Sequence, residues 1–264
     1  MELNNDVINI EDLHFRYNSH NDEVLKGISF NIKKGERVAV LGSNGAGKTT
    51  LFGLITGLIK EYTGSIKLEG REVKKLKPHD IAQRLSMVPQ KHEPLFPFSV
   101  RDFILMGRYS KLGVLGNPSK ADLEAVEKAA NETGAIKFID RPYNELSGGE
   151  IQLAVIARTL AQETDIIVLD EPNNHLDFKN QFKVFELISE ISKKRNTTLI
   201  MSLHNPNDVE LFADRAIVLN NGLVAVDGKV SDILNTKLLA DTFGIETICL
   251  EQNGHKAFLP KHCL

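Results

Sequence analysis

Short apolar runs separated by turn residues fill the first part of the chain, over residues 7–70. This pattern predicts several strands with glycines at the turns. One of these runs, Arg37–Leu41, is apolar almost throughout, which is typical of a parallel strand that is buried on both faces. A helical pattern follows over residues 48–58. The sequence therefore predicts a strand, a loop and a helix in succession.

Helical spacing replaces this pattern between about residues 99 and 144. Apolar residues recur at intervals of three and four, first over residues 100–104 and then over residues 123–130. Ser119 and Asp122 stand before the second run in the order of a capping box. We therefore expect a separate helical lobe in this part of the chain.

Helices and strands alternate in the next part of the chain. We predict helices over residues 147–161 and 181–193, and strands over residues 166–169 and 198–202. This order favours an α/β protein with a parallel sheet.

The last part of the chain contains further turn signals. A short helix should begin at Asn205-Pro206, and Asn221-Gly222 predicts a hairpin between residues 216–219 and 224–226. The last thirty residues are predicted to form small helices and one more strand.

Composition narrows the function classes. The 264 residues are 42% hydrophobic and 25% charged, with a formal net charge of -3. This is the composition of a folded protein, and it provides no positive field that would favour nucleic acid as a partner. There are two cysteines, too few for a disulfide framework, and neither a secretory leader nor an apolar run of membrane-spanning length is evident. We expect the chain to stay in the cytosol.

A phosphate-binding loop is predicted between the strand and the helix described first. Glycines allow a tight loop whose amides surround a phosphate, and the positive end of the following helix faces the same anion. Lys48 would reach the β- and γ-phosphate oxygens, and Thr49 would give its hydroxyl oxygen to Mg²⁺. The loop consists of Gly42, Ser43, Asn44, Gly45, Ala46, Gly47, Lys48 and Thr49.

Two carboxylates, Asp170 and Glu171, end the predicted strand over residues 166–169. Ligands of parallel sheets lie at the carboxyl ends of the strands. Asp170 could orient the metal through water, and Glu171 could accept a proton from the attacking water. The alternative is a solvated acidic pair, but the phosphate loop upstream favours the functional interpretation.

A second anion contact is predicted at the start of the helix near residue 147. Ser147 and Glu150 form a capping box, which would explain this segment by itself. Two consecutive glycines are costly in a helix, however, and they leave its first amides open to an anion. The segment consists of Leu146, Ser147, Gly148, Gly149 and Glu150.

These motifs, together with Gln90, residues 174–177 and His204, occur in the order found in ATP-binding-cassette ATPases, which the chain resembles over nearly its whole length. The resemblance implies ATP and Mg²⁺ as cofactors and a head-to-tail dimer in which residues 146–150 close on the nucleotide of the other copy. The chain departs from the usual signature sequence at Glu150 and Ile151 and has Asn173-Asn174 after Pro172, while His175 has no assignable chemical task.

The resemblance also assigns roles to single residues. Tyr17 is similar to the aromatic that stacks on adenine, and Thr50 extends the phosphate loop. Asp177 resembles the carboxylate that tightens the dimer interface. The Mg²⁺ site implied in this way consists of Thr49, Gln90 and Asp170. The implied catalytic residues are Glu171, His204 and Gln90.

The implied fold is a single ATPase domain over residues 1–264. Within it, residues 1–90 and 160–264 would form a P-loop core with a mixed or parallel sheet and an N-terminal antiparallel β-subdomain. Residues 91–159 would form an inserted α-helical subdomain that ends in the signature helix.

Three segments resemble the ATPases of iron-siderophore, haem and cobalamin importers: residues 99–108, 204–207 and 243–260. The resemblance implies permease subunits as partners, an extracytoplasmic solute-binding protein as an indirect partner, and a location at the cytoplasmic face of the membrane. Part of the aromatic stretch over residues 96–103 is expected to form a groove for a permease helix. These aromatics could instead be core residues, and Met106 could simply fill a gap.

A soluble ATPase of iron-sulfur cluster assembly is the alternative. DNA-repair relatives carry long coiled coils between the phosphate loop and the signature, whereas Lys48 and Ser147 here are only 99 positions apart. Ribosome-associated factors usually join two cassettes. Cofractionation with membranes would separate the importer from the cluster-assembly ATPase.

Overall fold

The apolar run predicted as a buried strand forms β3, Arg37–Leu41, and Val38, Ala39, Val40 and Leu41 are fully buried. A computed structural model describes residues 5–18, 22–90, 97–112, 116–172 and 176–261. The described chain divides into two compact units, residues 1–76 with 198–264 and residues 77–197. The segment 91–159, expected to be helical, falls within the second unit, and its exact bounds as a subdomain remain a prediction.

Strands from three sheets lie in the described part of the first unit. Its elements are β1 Asp6–Phe15, β2 Leu25–Lys33, β3 Arg37–Leu41, α1 Lys48–Ile55, β4 Thr63–Leu68, β5 Arg71–Glu72, β8 Thr198–Leu203, α7 Pro206–Phe212, β9 Arg215–Asn220, β10 Leu223–Lys229, α8 Val230–Ile233, α9 Thr236–Phe243, β11 Thr247–Gln252 and β12 His255–Pro260. An antiparallel sheet has the order β2-β1-β4-β5. In the mixed sheet β3 pairs in parallel with β8 and β9, and β10 pairs with β9 in antiparallel. This arrangement brings the ends of β3 and β8, which carry predicted site residues, to one edge.

The second unit contains most of the helices. Its elements are α2 Pro78–Ala82, β6 Leu85–Val88, α3 Val100–Leu105, α4 Lys120–Thr133, α5 Gly148–Ala161, β7 Ile166–Asp170 and α6 Phe178–Arg195. Short 3₁₀ turns lie between them at Met106–Arg108, Ala135–Phe138 and Tyr143–Glu145. Strands β6 and β7 are parallel, and all five residues of β7 are buried.

Helix α4 begins with the predicted capping box. Ser119 Oγ accepts a hydrogen bond from the Asp122 amide, and the Asp122 carboxylate accepts one from the Ser119 amide over 2.9 Å. Arg108 is buried and donates through Nε to Asp122 Oδ1 over 2.9 Å. These charge-assisted bonds tie the start of α4 to the turn that follows α3.

Two sequence predictions of element bounds are wrong. Helix α1 ends at Ile55 rather than at residue 58, because Thr56 caps it and Gly57 takes a left-handed φ of 69°. The last thirty residues contain a two-stranded antiparallel hairpin, β11 and β12, rather than one strand. Asn253 and Gly254 have φ values of 53° and 80°, as a two-residue hairpin turn requires.

Candidate active site

The phosphate loop follows β3 and leads directly into α1. Gly45 and Gly47 have φ values of 82° and 101°, which favour glycine over other residues. A Cβ atom on Gly42 would lie 2.5 Å from the carbonyl oxygen of Leu219, and one on Gly47 would lie 2.8 Å from Leu25 Cδ2. The glycines are thus required both by the loop conformation and by the close approach of neighbouring residues.

Lys48 lies across the loop that it follows. Its side chain is buried, and Nζ donates to the carbonyl oxygens of Gly42 and Ser43 over 2.7 and 3.1 Å. Thr49 is exposed in the first turn of α1, which has no acidic residue. A buried ammonium beside a helix N-terminus that no side chain caps fits a polyphosphate. The Thr49 hydroxyl is a hard oxygen donor of the kind that Mg²⁺ prefers.

The structure brings Tyr17 and Thr50 together. The Tyr17 hydroxyl and Thr50 Oγ1 are hydrogen-bonded over 2.9 Å. The Tyr17 ring packs edge-on against Phe15, with ring centroids 4.9 Å apart, yet Tyr17 remains 59% exposed. The ring is therefore held in a fixed place while much of its surface stays open, as stacking on a base requires.

His204 is exposed and stands between β8 and α7. Burial raises the pKa of Asp208, one turn further on, and the nearby His204 opposes that shift. Asn207 has a structural task that the sequence analysis did not assign, because its side-chain amide exchanges two hydrogen bonds with the backbone of Phe258, of 2.8 and 3.2 Å. The segment after His204 thus anchors β12.

In the second unit the structure places Gln90 beside Glu171. Gln90 Nε2 donates to Glu171 Oε2 over 2.8 Å. Asp170 is 1% exposed as the last residue of β7. Glu171 has a φ of 47° although Pro172 follows it, a backbone conformation that costs about 1–2 kcal/mol in a non-glycine residue. Such strain concentrates at functional sites, and no sequence pattern had indicated it here.

The signature segment, residues 146–150, has the predicted folded-back cap. Glu150 Oε2 accepts from both the Ser147 amide and the Ser147 hydroxyl, over 2.9 and 2.8 Å. Arg141 Nη1 donates to the other carboxylate oxygen, Glu150 Oε1, over 3.0 Å. The hydrogen bonds from the Ser147 backbone and side chain, followed by Arg141, lower the pKa of Glu150. The cap predicted for Glu150 is confirmed. The Glu150 carboxylate also forms an ion pair with Arg141.

Asp177 is exposed and caps the N-terminus of α6. Its carboxylate accepts hydrogen bonds from the backbone amide of Asn180, over 2.8 Å, and from the Asn180 side chain.

The aromatic stretch expected to form the permease groove divides into two environments. Phe98 is 45% exposed. Phe103 is 4% exposed, stacks on Tyr143 with ring centroids 4.2 Å apart, and lies under the Arg158 guanidinium. Phe103 is therefore a core residue, as in the alternative interpretation of these aromatics. Phe96 and residues 173–175 lie outside the described residues.

Comparisons with known proteins identify the family of this chain. The ABC transporter family matches residues 25–174, more than half of the chain. The petrobactin import ATP-binding protein FpuC of Bacillus anthracis is 35% identical over 237 residues, which cover 90% of this chain and 87% of that protein.

Solved structures give the same result. A chain of an ABC transporter described as metal-chelate type, in an inward-facing conformation, has a TM-score of 0.85 at 29% identity over 98% of this chain and 100% of that one. A dimeric cassette, MJ0796, has a TM-score of 0.73 at 25% identity over 84% of this chain and 98% of that one.

The phosphate loop after β3 and the parallel pairing of β3 with β8 and β9 are typical of a nucleotide-binding α/β domain. The chain belongs to the ABC transporter family, as an ATP-binding subunit. This confirms the resemblance and the fold expected from the sequence. Within the described residues, none of the helices has the length and apolar character that crossing a membrane requires.

Proposed function

We propose that this chain is the ATP-hydrolysing subunit of an importer for an iron chelate, haem, cobalamin or a related metal compound. The observation that carries the ATPase assignment is the loop in which Lys48 is buried against two carbonyl oxygens beside an open helix N-terminus. Support for the solute class comes from the petrobactin relative and from the metal-chelate type transporter, whose chain matches 98% of this one.

The residues divide the reaction among them. Lys48 and the amides of the phosphate loop bind the β- and γ-phosphates, and Tyr17 stacks on the base, with Thr50 holding its hydroxyl. Glu171 accepts the proton of the attacking water, Gln90 holds the carboxylate in place, and His204 contacts the γ-phosphate. Bound Mg²⁺, held by Thr49, Gln90 and Asp170, would neutralise phosphate charge.

Two copies would act together beneath a permease. The dimeric cassette of similar fold supports association of two copies. The family resemblance implies that Ser147 and Gly149 of one copy would then face the nucleotide of the other. The subunit would lie at the cytoplasmic face of the membrane through its permease, and an extracytoplasmic binding protein would deliver the solute. The cluster-assembly alternative is not favoured, because the relative reported above is an import protein.

Calorimetry on Lys48→Ala tests the nucleotide site. Loss of the buried cation should abolish ATP binding, since the triphosphate would lose its main counter-charge. Lys137→Ala is a suitable control, because Lys137 lies in a 3₁₀ turn of the second unit and should leave binding unchanged. Unchanged ATP affinity in Lys48→Ala would refute the assignment of the phosphate loop.

A further inference from the structure

Asn180 lies against the backbone of the signature segment at Gly149. A Cβ atom on Gly149 would lie 3.2 Å from Asn180 Nδ2 and 3.6 Å from its Cγ, and the first of these distances is shorter than an ordinary van der Waals contact. Gly149 has no positive φ that would require glycine. The Asn180 amide therefore packs closely against the place where a Cβ atom would stand, which is an alternative reason for glycine at this position.

The same amide is bound on its other side by Asp177. Asn180 Nδ2 donates to Asp177 Oδ2 over 3.2 Å, and the Asn180 backbone amide donates to Asp177 Oδ1 over 2.8 Å. Both carboxylate oxygens of Asp177 are thus oriented by one residue. A movement of the Asn180 amide away from Gly149 therefore strains its hydrogen bond to Asp177 Oδ2.

We propose that Asn180 is a positioning residue that couples the signature glycine to Asp177, so that the two segments meet the second copy in one fixed arrangement. This proposal rests on the proposed function, in which both Gly149 and Asp177 lie at the interface that ATP closes. A methyl group at position 149 requires the Asn180 amide to shift by a few tenths of an ångström, which strains its hydrogen bond to Asp177. The need for glycine at position 149 is then partly a need for space beside Asn180, and not only for access by the phosphate.

A double-mutant cycle on ATP-driven association tests this coupling. The cycle uses Glu171→Gln as its background, and light scattering measures the ATP concentration that half-saturates the dimer. Gly149→Ala should raise that concentration about tenfold and Asn180→Ala about threefold, the scale of a lost hydrogen bond. The combined variant should show clearly less than the roughly thirtyfold product of the two single effects, because alanine at position 180 makes room for the new methyl group.

Asn180→Asp is the matched control. Aspartate has nearly the same size as asparagine, but it lacks the N–H donor and repels Asp177. Asn180→Asp should therefore impair association, and it should not reduce the effect of Gly149→Ala, because it leaves no room for the new methyl group. Calorimetry should show unchanged ATP affinity of the monomeric variants, because the phosphate loop is untouched. If Gly149→Ala fails to fold, Asn180→Ala and Asn180→Asp still test whether Asn180 orients Asp177. Association of both variants equal to that of the Glu171→Gln background would overturn the proposal.

An increase of about thirtyfold in the half-saturating ATP concentration of the combined variant, the product of the two single effects, would also overturn the proposed coupling. A failure of the proposed function is separable from this outcome, since the Glu171→Gln background itself would then bind no ATP or form no dimer before any change at position 149 or 180.

Discussion

The side-chain amide of Gln90 donates a hydrogen bond to Glu171 across 81 positions of sequence, with Nε2 and Oε2 2.8 Å apart. This hydrogen bond fixes the position of the carboxylate that we propose as the proton acceptor. Glu171 is also held by its own strained backbone, with a φ of 47°. These two constraints position the side chain to which we assign the proton-accepting role.

Glu171→Gln should therefore retain ATP binding but slow hydrolysis by at least ~10²-fold, the scale of losing a positioned proton acceptor. It should also trap a dimer, because bound ATP is no longer consumed. Steady-state ATPase assays and light scattering at saturating ATP check both parts. Normal hydrolysis would show that Glu171 is not the proton acceptor. A monomer at saturating ATP would contradict the proposed dimer of two copies.

Glu150→Gln should have little effect. Glutamine can accept the same hydrogen bonds from Ser147, and only the partly exposed ion pair with Arg141 is lost. The free energy of unfolding should change by less than about 1 kcal/mol, and the ATPase rate should stay near that of the unaltered protein. A large rise in the ATPase rate would show instead that the carboxylate faces phosphate and slows the reaction.

Acid should weaken the helical part of the second unit through Asp122. Hydrogen bonds from the Ser119 side chain and backbone, followed by Arg108, lower the pKa of Asp122 to about 2. Because this value lies below that of an unfolded aspartate, about 4, the stabilisation is complete above that pH and is lost as the pH falls toward 2. Asp122→Asn should cost about 1 kcal/mol or more at neutral pH.

Denaturant titrations of both proteins across this pH range check the prediction. The difference in unfolding free energy between them should shrink as the pH falls from about 4 toward 2. A difference that stays constant over this range would mean that the Asp122 carboxylate is not the titrating group.

Phe98→Ser should weaken binding of the subunit to its permease and leave basal ATP hydrolysis unchanged. Phe98 is 45% exposed, whereas Phe103 is 4% exposed and stacks on Tyr143. Pull-down of the permease and an ATPase assay of the isolated subunit measure the two effects. Phe103→Ser provides the contrast, since it should destabilise the fold itself. Undiminished pull-down by Phe98→Ser would place the docking surface elsewhere.

Local signals were enough to predict much of the fold. The apolar run of β3, the capping boxes at Ser119 and Ser147 and the Asn221-Gly222 turn all correspond to observed elements. The C-terminal hairpin carries the same kind of signal at Asn253-Gly254. Strand β6 had none, because its four residues are stabilised by pairing with β7 rather than by any pattern of their own.

The candidate site was predictable as a set of residues but not as an arrangement. Sequence order indicated Gln90 and Glu171, while the bond between them depends on tertiary folding. The same holds for Tyr17 with Thr50, and for Asn180, whose position beside Gly149 no spacing rule reveals. Long-range contacts of this kind are set by how the elements pack, and a single sequence does not record that packing.

The central claim is that ATP hydrolysis by this chain drives uptake of a metal compound. The most direct measurement is uptake of labelled iron chelates, haem and cobalamin by cells of the organism that makes this protein, in which the Glu171→Gln variant replaces the normal protein. The account predicts that uptake of one of these compounds is lost and returns when the unaltered chain is restored. Normal uptake of every compound in cells that contain only the hydrolysis-deficient chain would contradict it.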